Sequence, residues 1–134
     1  MSTPDTTLRR LRTLCLSFPE TSEVQSWGHP NFRAGKKTFV TFERIEGRPS
    51  IAFRLNTTDV DLLLNRRQFF LTPYGRGQWV SAWADVPVSW GLVRRLAERS
   101  YRLVAPKRMT AALTNQSASP RMRRASGSTP RLPR

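Results

Sequence analysis

The segment Trp27-Gly28-His29-Pro30-Asn31-Phe32-Arg33-Ala34-Gly35-Lys36-Lys37-Thr38-Phe39 carries the strongest structural signal in this chain. Gly28 and Pro30 both oppose a helix, because glycine loses backbone entropy there and proline lacks an N–H donor. An extended segment, a tight turn at Gly35-Lys36-Lys37 and a return strand from Thr38 to Arg44 fit the pattern better. The segment is therefore predicted to be a β-hairpin with a cationic tip.

The chain is strongly basic over its whole length. Its 134 residues include 23 lysines and arginines against 9 aspartates and glutamates, which gives a formal net charge of +14. Residues 107–134 contain no acid, and residues 1–106 still carry an excess of positive charge. Because the charge is not confined to one terminal segment, the composition indicates a polyanionic partner such as a nucleic acid.

Chain length, cysteine usage and hydropathy bound the class of protein. A chain of this length is enough for one domain with its own core. The single cysteine, Cys15, excludes an intramolecular disulfide framework and fits a reducing compartment. No apolar run approaches the ~18 residues that a membrane-spanning helix needs, and the polar N-terminus lacks the features of a secretory signal. We therefore expect a cytoplasmic protein without a membrane partner.

Residue periodicity predicts both helices and strands. Thr3 suits a helix N-cap, and Pro4 suits the first position of the helix that follows. Ile51, Phe53 and Leu55 alternate with polar or small residues, as in a strand with one buried face. The predicted elements in chain order are a helix from Pro4 to Ser17, strands Thr38–Arg44 and Ser50–Leu55, a short helix at about residues 56–65, an irregular loop Phe69–Gly77, a strand Gln78–Ala84 and a helix from Pro87 to about Leu103.

This order of elements is that of an α+β fold. The economical arrangement is a two-layer sandwich, in which an antiparallel sheet has helices packed on one face. Residues 1–107 are predicted to form this domain. Residues 108–134, which are basic and rich in Ser, Pro and Arg, are predicted to be a disordered tail. The sequence leaves the strand order and the oligomeric state open.

Short motifs that occur in one order give the chain a family resemblance. They are Phe18-Pro19-Glu20-Thr21, Trp27-Gly28-His29-Pro30 with Phe32, Gly35-Lys36-Lys37-Thr38-Phe39, Tyr74-Gly75 followed by Trp79-Val80, and Ser100-Tyr101 followed by Leu103-Val104. Through these motifs, residues 8–108 resemble the MmcQ/YjbR family of small α/β proteins. The resemblance implies a CyaY-like sandwich with protruding hairpins, and DNA binding through a double-wing arrangement of those hairpins. It does not extend to the arginine-rich tail.

Basic residues at the predicted turns are the candidate DNA contacts. Two hairpin tips that project from the same side of the sheet would grip the phosphates of double-stranded DNA without reading its sequence. A flexible arginine-rich arm would add phosphate contacts. Simple solvation of charged turns is the alternative for each residue. The candidates are Lys36 and Lys37 at one tip, Arg44 and Arg48 beside another, Arg76 on the glycine loop, and Arg121, Arg123 and Arg124 in the tail.

A non-enzymatic adaptor or ligand-binding module is the second hypothesis. It would use an aromatic pocket around Trp27, His29 and Phe32 to hold a protein partner or a small anionic ligand. An exposed aromatic patch favours this function, whereas a continuous positive face favours DNA. Trp79 and Trp83 share one face of a predicted strand. Core packing is favoured for them, and stacking on nucleobases is the alternative.

We expect no enzymatic activity, no cofactor and no metal site. His29 is the only histidine, and we expect it to fix a turn or to line a shallow pocket. Cys15 lies on the apolar face of its helix and is expected to pack rather than to react. Gly75-Arg76-Gly77 lacks the further glycine and lysine of a phosphate-binding loop. An iron-binding role, suggested by similar sandwiches, is disfavoured because a hard cation needs an acidic ridge.

Overall fold

The computed structural model describes residues 4–125, with side chains described for residues 4–116. Within that range the protein has four helices and six strands. The elements are, in order, α1 (Pro4–Leu16), β1 (Thr21–Ser26), β2 (His29–Ala34), β3 (Lys37–Ile45), β4 (Arg48–Arg54), α2 (Thr57–Leu63), β5 (Phe69–Leu71), β6 (Trp79–Trp83), α3 (Trp90–Val104) and α4 (Lys107–Ala125).

The strands form one antiparallel sheet in the order β1-β2-β3-β4-β6-β5. Strands β1 to β4 are consecutive hairpins, since each pairs with the next along the chain. After β4 the chain forms α2 and then β5 at the edge, before β6 returns to lie between β4 and β5. Buried apolar residues of the sheet and of all four helices form one cluster. The predicted α+β sandwich, with helices on one face of an antiparallel sheet, is confirmed.

A row of side chains from four neighbouring strands forms the floor of the core. Phe32 on β2 pairs with Val40 on β3. Val40 pairs in turn with Phe53 on β4, and Phe53 pairs with Val80 on β6. All four side chains are fully buried. Because side chains alternate between the faces of a strand, this row also fixes which residues point to the opposite, helix-free face of the sheet.

Tyr101 on α3 joins the helical layer to the sheet. Its side chain is fully buried, and its ring centroid lies 5.2 Å from that of Phe18 and 5.7 Å from that of Phe39. The phenol donates a hydrogen bond to the backbone carbonyl of Pro19 at 2.7 Å, which satisfies its polar atom. Burial raises the pKa of Tyr101 above its ordinary value.

Strand β3 carries one residue more than β2 along the segment where the two pair. Phe32 pairs with Val40, but Arg33 pairs with Thr38, which leaves Phe39 without a partner on β2. This irregularity is a β-bulge. It allows Phe39 and Val40, which are adjacent in sequence, both to enter the core.

Helix α4 corrects the predicted C-terminal boundary of the domain. The sequence places that boundary at residue 107, with a disordered tail beyond it, but the helix begins at Lys107 and continues to Ala125. Met109 and Leu113 lie four residues apart on one helix face, and both are buried in the common core. Gln116 also donates a hydrogen bond to the backbone carbonyl of Ser17, the residue that follows α1. The packed domain therefore extends to Gln116, and residues 126–134 lie outside the described residues.

Two other elements differ from the prediction. The stretch Phe69–Gly77, predicted as an irregular loop, begins with the short edge strand β5, which pairs with β6. Helix α3 begins at Trp90 rather than Pro87. The side chain of Ser89 caps this helix by accepting a hydrogen bond from the Leu92 N–H at 3.4 Å.

Candidate functional site

The helix-free face of the sheet carries a pocket of about 440 Å³, which we call the aromatic pocket. A volume of this size is typical of small-ligand sites. Strands β2 and β3 form its floor, and the β1–β2 turn and the β5–β6 loop, with Trp79 at the start of β6, form its rim. The residues that line it are Trp27, His29, Asn31, Thr38, Thr41, Glu43, Tyr74 and Trp79.

Glu43 is the one acid among the residues that line the aromatic pocket. Its carboxylate is 10% exposed; His29 Nε2 lies 3.3 Å from Oε1, and the phenol of Tyr74 donates to Oε2. Burial, and after it the hydrogen bond to Glu43, raise the pKa of Tyr74, so this phenol stays protonated and donates at neutral pH. Because an ionised carboxylate has about four acceptor positions, Glu43 can still accept hydrogen bonds from a ligand.

Trp27 forms the rim of the pocket at the tip of the β1–β2 hairpin. Its side chain is 91% exposed, and its backbone has φ +59°, followed by φ +81° at Gly28. A two-residue turn with two positive φ values is the type I′ hairpin turn, whose first position favours asparagine over bulky residues. Neither packing nor backbone preference therefore accounts for a tryptophan here. Strained and exposed aromatic residues of this kind occur at ligand sites.

The opposite rim is the β5–β6 loop, which folds back over the sheet. The rings of Tyr74 and Trp79 lie 6.3 Å apart between centroids. Gly75 sits between them with φ +87°, and a Cβ atom at this position would collide with the Trp79 ring. Only glycine combines this backbone conformation with such a close approach to the indole. The Tyr74-Gly75 motif thus holds both aromatic rings in place.

The β-bulge in β3 brings Thr38 and Thr41 to the same pocket. In a regular strand, residues three apart point to opposite faces. Phe39 takes the extra position in the bulge, so both threonines line the aromatic pocket together with Glu43. Because of the bulge, the pocket floor extends to Thr38, the residue that directly follows the two lysines.

His29 and Trp27 line the pocket, as the sequence predicts, but Phe32 does not. Phe32 is fully buried on the helix side of β2. The reason is strand alternation, which puts Asn31 on the face of His29 and turns Phe32 away from it. His29 also lies 3.3 Å, through Nδ1, from the carbonyl of Pro30.

One end of the sheet is basic, and we call it the basic end. The β2–β3 turn carries Lys36, and Lys37 begins β3 directly after it. The β5–β6 loop, which leaves from the same end, carries Arg76. All three are exposed, and none makes an ion pair or side-chain hydrogen bond with the described residues. Arg33 pairs with Thr38 at this end, and its Nε is buried without a hydrogen-bond partner among the described residues. Arg33 was not among the predicted contacts, although its place between Phe32 and Ala34 in the alternating pattern of β2 is a usable signal.

Arg44 and Arg48 lie at the other end of the sheet, contrary to the expectation of two adjacent cationic tips. The β2–β3 and β3–β4 turns leave from opposite ends of the nine-residue strand β3, about 26 Å apart. Arg48 is also bound to Asp85 through Nε at 2.7 Å and covers the Trp83 ring at 3.8 Å. Arg44 donates to the carbonyl of Gly47. The predicted clamp formed by both tips on one side is therefore wrong.

The remaining predicted positions have mixed outcomes. Arg121, Arg123 and Arg124 lie in the part of α4 whose side chains are outside the described residues. Trp79 lines the pocket, and Trp83 stacks on Phe70 at 4.1 Å between centroids, so neither belongs to the core between sheet and helices. The favoured core position of these two tryptophans is thus wrong.

A second cationic surface lies on the helical side of the molecule, in a groove between α1 and α3. The groove encloses about 530 Å³, and no acid lines it. Arg10 lies over the Trp90 ring at 4.7 Å from its centroid. Arg9 and Arg94 complete the basic lining. No sequence motif marks this groove, because its arginines come from two helices distant in sequence.

Within the described residues, no three side chains of His, Cys, Asp or Glu come together to hold a metal ion. Cys15 is fully buried, and burial raises the pKa of its thiol. No helix in the described part of the chain has the length and apolar character needed to cross a bilayer.

Known proteins share this fold. The YjbR family model matches residues 16–103, and no curated protein matches the chain. The crystal structure of a Deinococcus radiodurans protein with a DUF419 domain is similar with a TM-score of 0.66 and 19% identity, over 88% of this chain and 92% of that one. A Pseudomonas syringae protein is similar with a TM-score of 0.60 and 14% identity, over 72% of this chain and 96% of that one. These structural similarities concern the fold alone; the family match establishes that the chain belongs to the YjbR family.

Proposed function

We propose that this protein binds nucleic acid without catalysing a reaction on it. The observation that carries the proposal is the basic end of the sheet, where Arg33, Lys36, Lys37 and Arg76 all lie without carboxylate partners among the described residues. Cations without internal partners are free to neutralise phosphates. The net charge of +14 adds long-range attraction to a polyanion.

The geometry changes the way in which DNA is expected to be held. A grip by two neighbouring hairpin tips is not available, because the tips lie at opposite ends of β3. Phosphates instead meet a single basic end, and the helix-free face beside it is open to bases. We therefore include single-stranded nucleic acid with double-stranded DNA as a partner class.

A salt series tests the proposal. Fluorescence anisotropy with labelled duplex and single-stranded oligonucleotides gives the dependence of log K on log salt concentration. Four phosphate contacts at the basic end predict a slope of about −3 to −4. The double variant Lys36→Ala/Lys37→Ala should make the slope shallower by about 1.5.

The matched control is the double variant Arg66→Ala/Arg67→Ala. These arginines are exposed and precede β5, at the end of the sheet away from Lys36. The control removes the same net charge and should leave the slope unchanged. Equal effects of both double variants would mean that only the total charge matters, and a selective effect of Arg9→Ala/Arg94→Ala would move the interface to the groove between α1 and α3.

The pocket supports a second candidate function, the binding of a small ligand or a protein segment. The observation that favours it is the set of aromatic rings from Trp27, Tyr74 and Trp79 around Glu43. Aromatic rings with a carboxylate also suit an organic cation. Titration with tetramethylammonium, followed by tryptophan fluorescence, tests this candidate directly.

A further inference from the structure

We propose that the aromatic pocket holds one unpaired base of a single-stranded nucleic acid, and that guanine is the base it prefers. This inference rests on the proposed function and names the partner of the same face of the protein. Three features of the pocket carry it: the aromatic rim, the carboxylate on the floor, and the continuity with the basic end.

The rim supplies surfaces on which a base can stack. Trp27 stands at one side with 91% of its side chain exposed, and Tyr74 with Trp79 stands at the other. Proteins that bind single strands use aromatic side chains in this way, because every base has a π-face. Trp27 is exposed and has a positive φ, so neither packing nor backbone preference explains a tryptophan at this position. Stacking on a base would explain it.

The floor supplies the hydrogen bonds that distinguish bases. Glu43 is held on one side by His29 and on the other by Tyr74, so its carboxylate cannot turn freely. Its free acceptor positions suit a ligand with two adjacent N–H donors. Guanine presents such a pair, N1–H and N2–H₂, on its Watson–Crick edge. Adenine, cytosine and thymine each present a single donor group beside acceptors, which a carboxylate repels.

The backbone of the strand can reach the basic end from the same pocket. Lys37 directly precedes Thr38, which lines the pocket, and Arg76 lies between Tyr74 and Trp79 in sequence. Arg33 lies beside Thr38 across the β2–β3 pair, with its Nε buried and without a partner among the described residues. A nucleotide whose base enters the pocket would therefore have cations near its flanking phosphates. The alternative occupant, an organic cation, would meet this positive surface on its approach.

The experiment compares oligothymidines of about nine nucleotides that carry a single guanine, adenine or cytosine at the centre, with oligothymidine itself as the fourth strand. Affinities of the full-length protein are measured by anisotropy at one fixed salt concentration. The guanine strand should bind about tenfold more tightly than the others. Glu43→Gln should remove this preference, so that the guanine strand binds no more tightly than oligothymidine.

Trp27→Ala is the second variant, chosen because the exposed side chain is not needed for folding. It should weaken binding of the guanine strand about fivefold or more and leave the salt slope unchanged. Normal salt-dependent binding with equal affinity for all four strands would overturn the inference and leave the proposed function standing. Absence of nucleic-acid binding would overturn both. Saturable binding of tetramethylammonium that Trp27→Ala abolishes would identify the pocket as a cation site and overturn the base assignment.

Discussion

Arg48 and Asp85 are joined by two parallel hydrogen bonds, from Nε to Oδ2 at 2.7 Å and from Nη2 to Oδ1 at 2.8 Å. These hydrogen bonds, which Arg48 donates, lower the pKa of Asp85 and raise the pKa of Arg48. The indole of Trp83 covers the guanidinium at 3.8 Å. A cation held in this way already has a carboxylate partner and a covered face, so it is less accessible to a phosphate. A basic residue next to a hairpin tip in the sequence is therefore not necessarily free to bind phosphate.

Replacing Arg48 by alanine should leave the salt dependence of nucleic-acid binding unchanged, because its charge is already paired with that of Asp85. Replacing Lys36 by alanine should make the slope shallower by about 0.7–0.9, the value expected for one phosphate contact. Anisotropy over a salt series measures both. An Arg48→Ala variant whose slope changed as much as that of Lys36→Ala would show that the ion pair with Asp85 opens to admit phosphate.

Trp27→Asn should change stability and affinity in opposite directions. Asparagine tolerates the positive φ of the type I′ turn, so the free energy of unfolding should rise by about 1 kcal/mol. The stacking surface is lost at the same time, so the guanine strand should bind about fivefold more weakly or worse. Denaturant unfolding and anisotropy supply the two quantities. A drop in stability would indicate that Trp27 packs against the protein.

Gly75→Ala and Gly77→Ala form a matched pair. Both glycines have positive φ, +87° and +82°, but only at position 75 does an added methyl group meet the Trp79 ring; at position 77 nothing lies within 4 Å. Gly77→Ala should cost about 1–2 kcal/mol for backbone strain. Gly75→Ala should cost clearly more and should shift the emission of Trp79. Equal losses of stability would mean that the loop moves away from the indole without cost.

Leu113→Ala tests whether α4 belongs to the domain. Leu113 is 3% exposed, whereas Leu62 on α2 is 64% exposed. Leu113→Ala should lower the free energy of unfolding by about 2–5 kcal/mol through loss of burial and the cavity it leaves. Leu62→Ala removes the same atoms from the surface and should change stability by no more than about 0.5 kcal/mol. Urea unfolding compares them, and a loss below 1 kcal/mol for Leu113→Ala would contradict the packing of this helix.

Alkaline pH should destabilise the protein through its two tyrosines. The pKa values of Tyr74 and Tyr101 are raised in the folded state, chiefly by burial, above the value of about 10 in an unfolded chain. Above pH 10 the unfolded state loses phenolic protons that the folded state keeps, so stability falls as pH rises from there toward the folded-state values. Tyrosinate absorbance and circular dichroism, followed together against pH, should change in step.

Tyr74→Phe separates the two contributions to this effect. The variant keeps Tyr101 and should show a smaller fall in stability between the unfolded-state and folded-state pKa values. A phenol that ionised near pH 10 with the circular dichroism unchanged would refute the raised pKa values.

The sequence predicted the fold class and the β2–β3 hairpin because their signals are local. The turn between β2 and β3 consists of Gly35 and Lys36, within the predicted turn Gly35-Lys36-Lys37. Helix α4 escaped prediction, since among its residues with described side chains, 107–116, Met109 and Leu113 are the two that are buried. Their burial depends on a core that distant elements build. The number of apolar residues in the segment alone therefore underestimates the stability of such a helix, which comes mainly from tertiary packing.

The candidate site was predictable in part. The unusual motif around Trp27 and His29 predicts that these two residues line a pocket. The acceptor Glu43 comes from another strand, and the rim residue Tyr74 comes from a loop far along the chain. Strand order decides which of these residues meet, and the sequence left that order open. The unknown strand arrangement also explains why Arg48 was wrongly predicted to lie beside Lys36. A hairpin sequence shows that a tip exists but not the end of the sheet from which it projects.

The extra residue at Phe39 gives this family a simple diagnostic of pocket architecture. The diagnostic is the number of residues between the lysine pair and the carboxylate on the pocket floor. In a relative with one residue fewer, either the basic turn or the acceptor would face the helices. Two homologues with identical motifs but a different number of residues between them would then present different side chains at this surface. A sequence alignment would show this difference only as a one-residue gap.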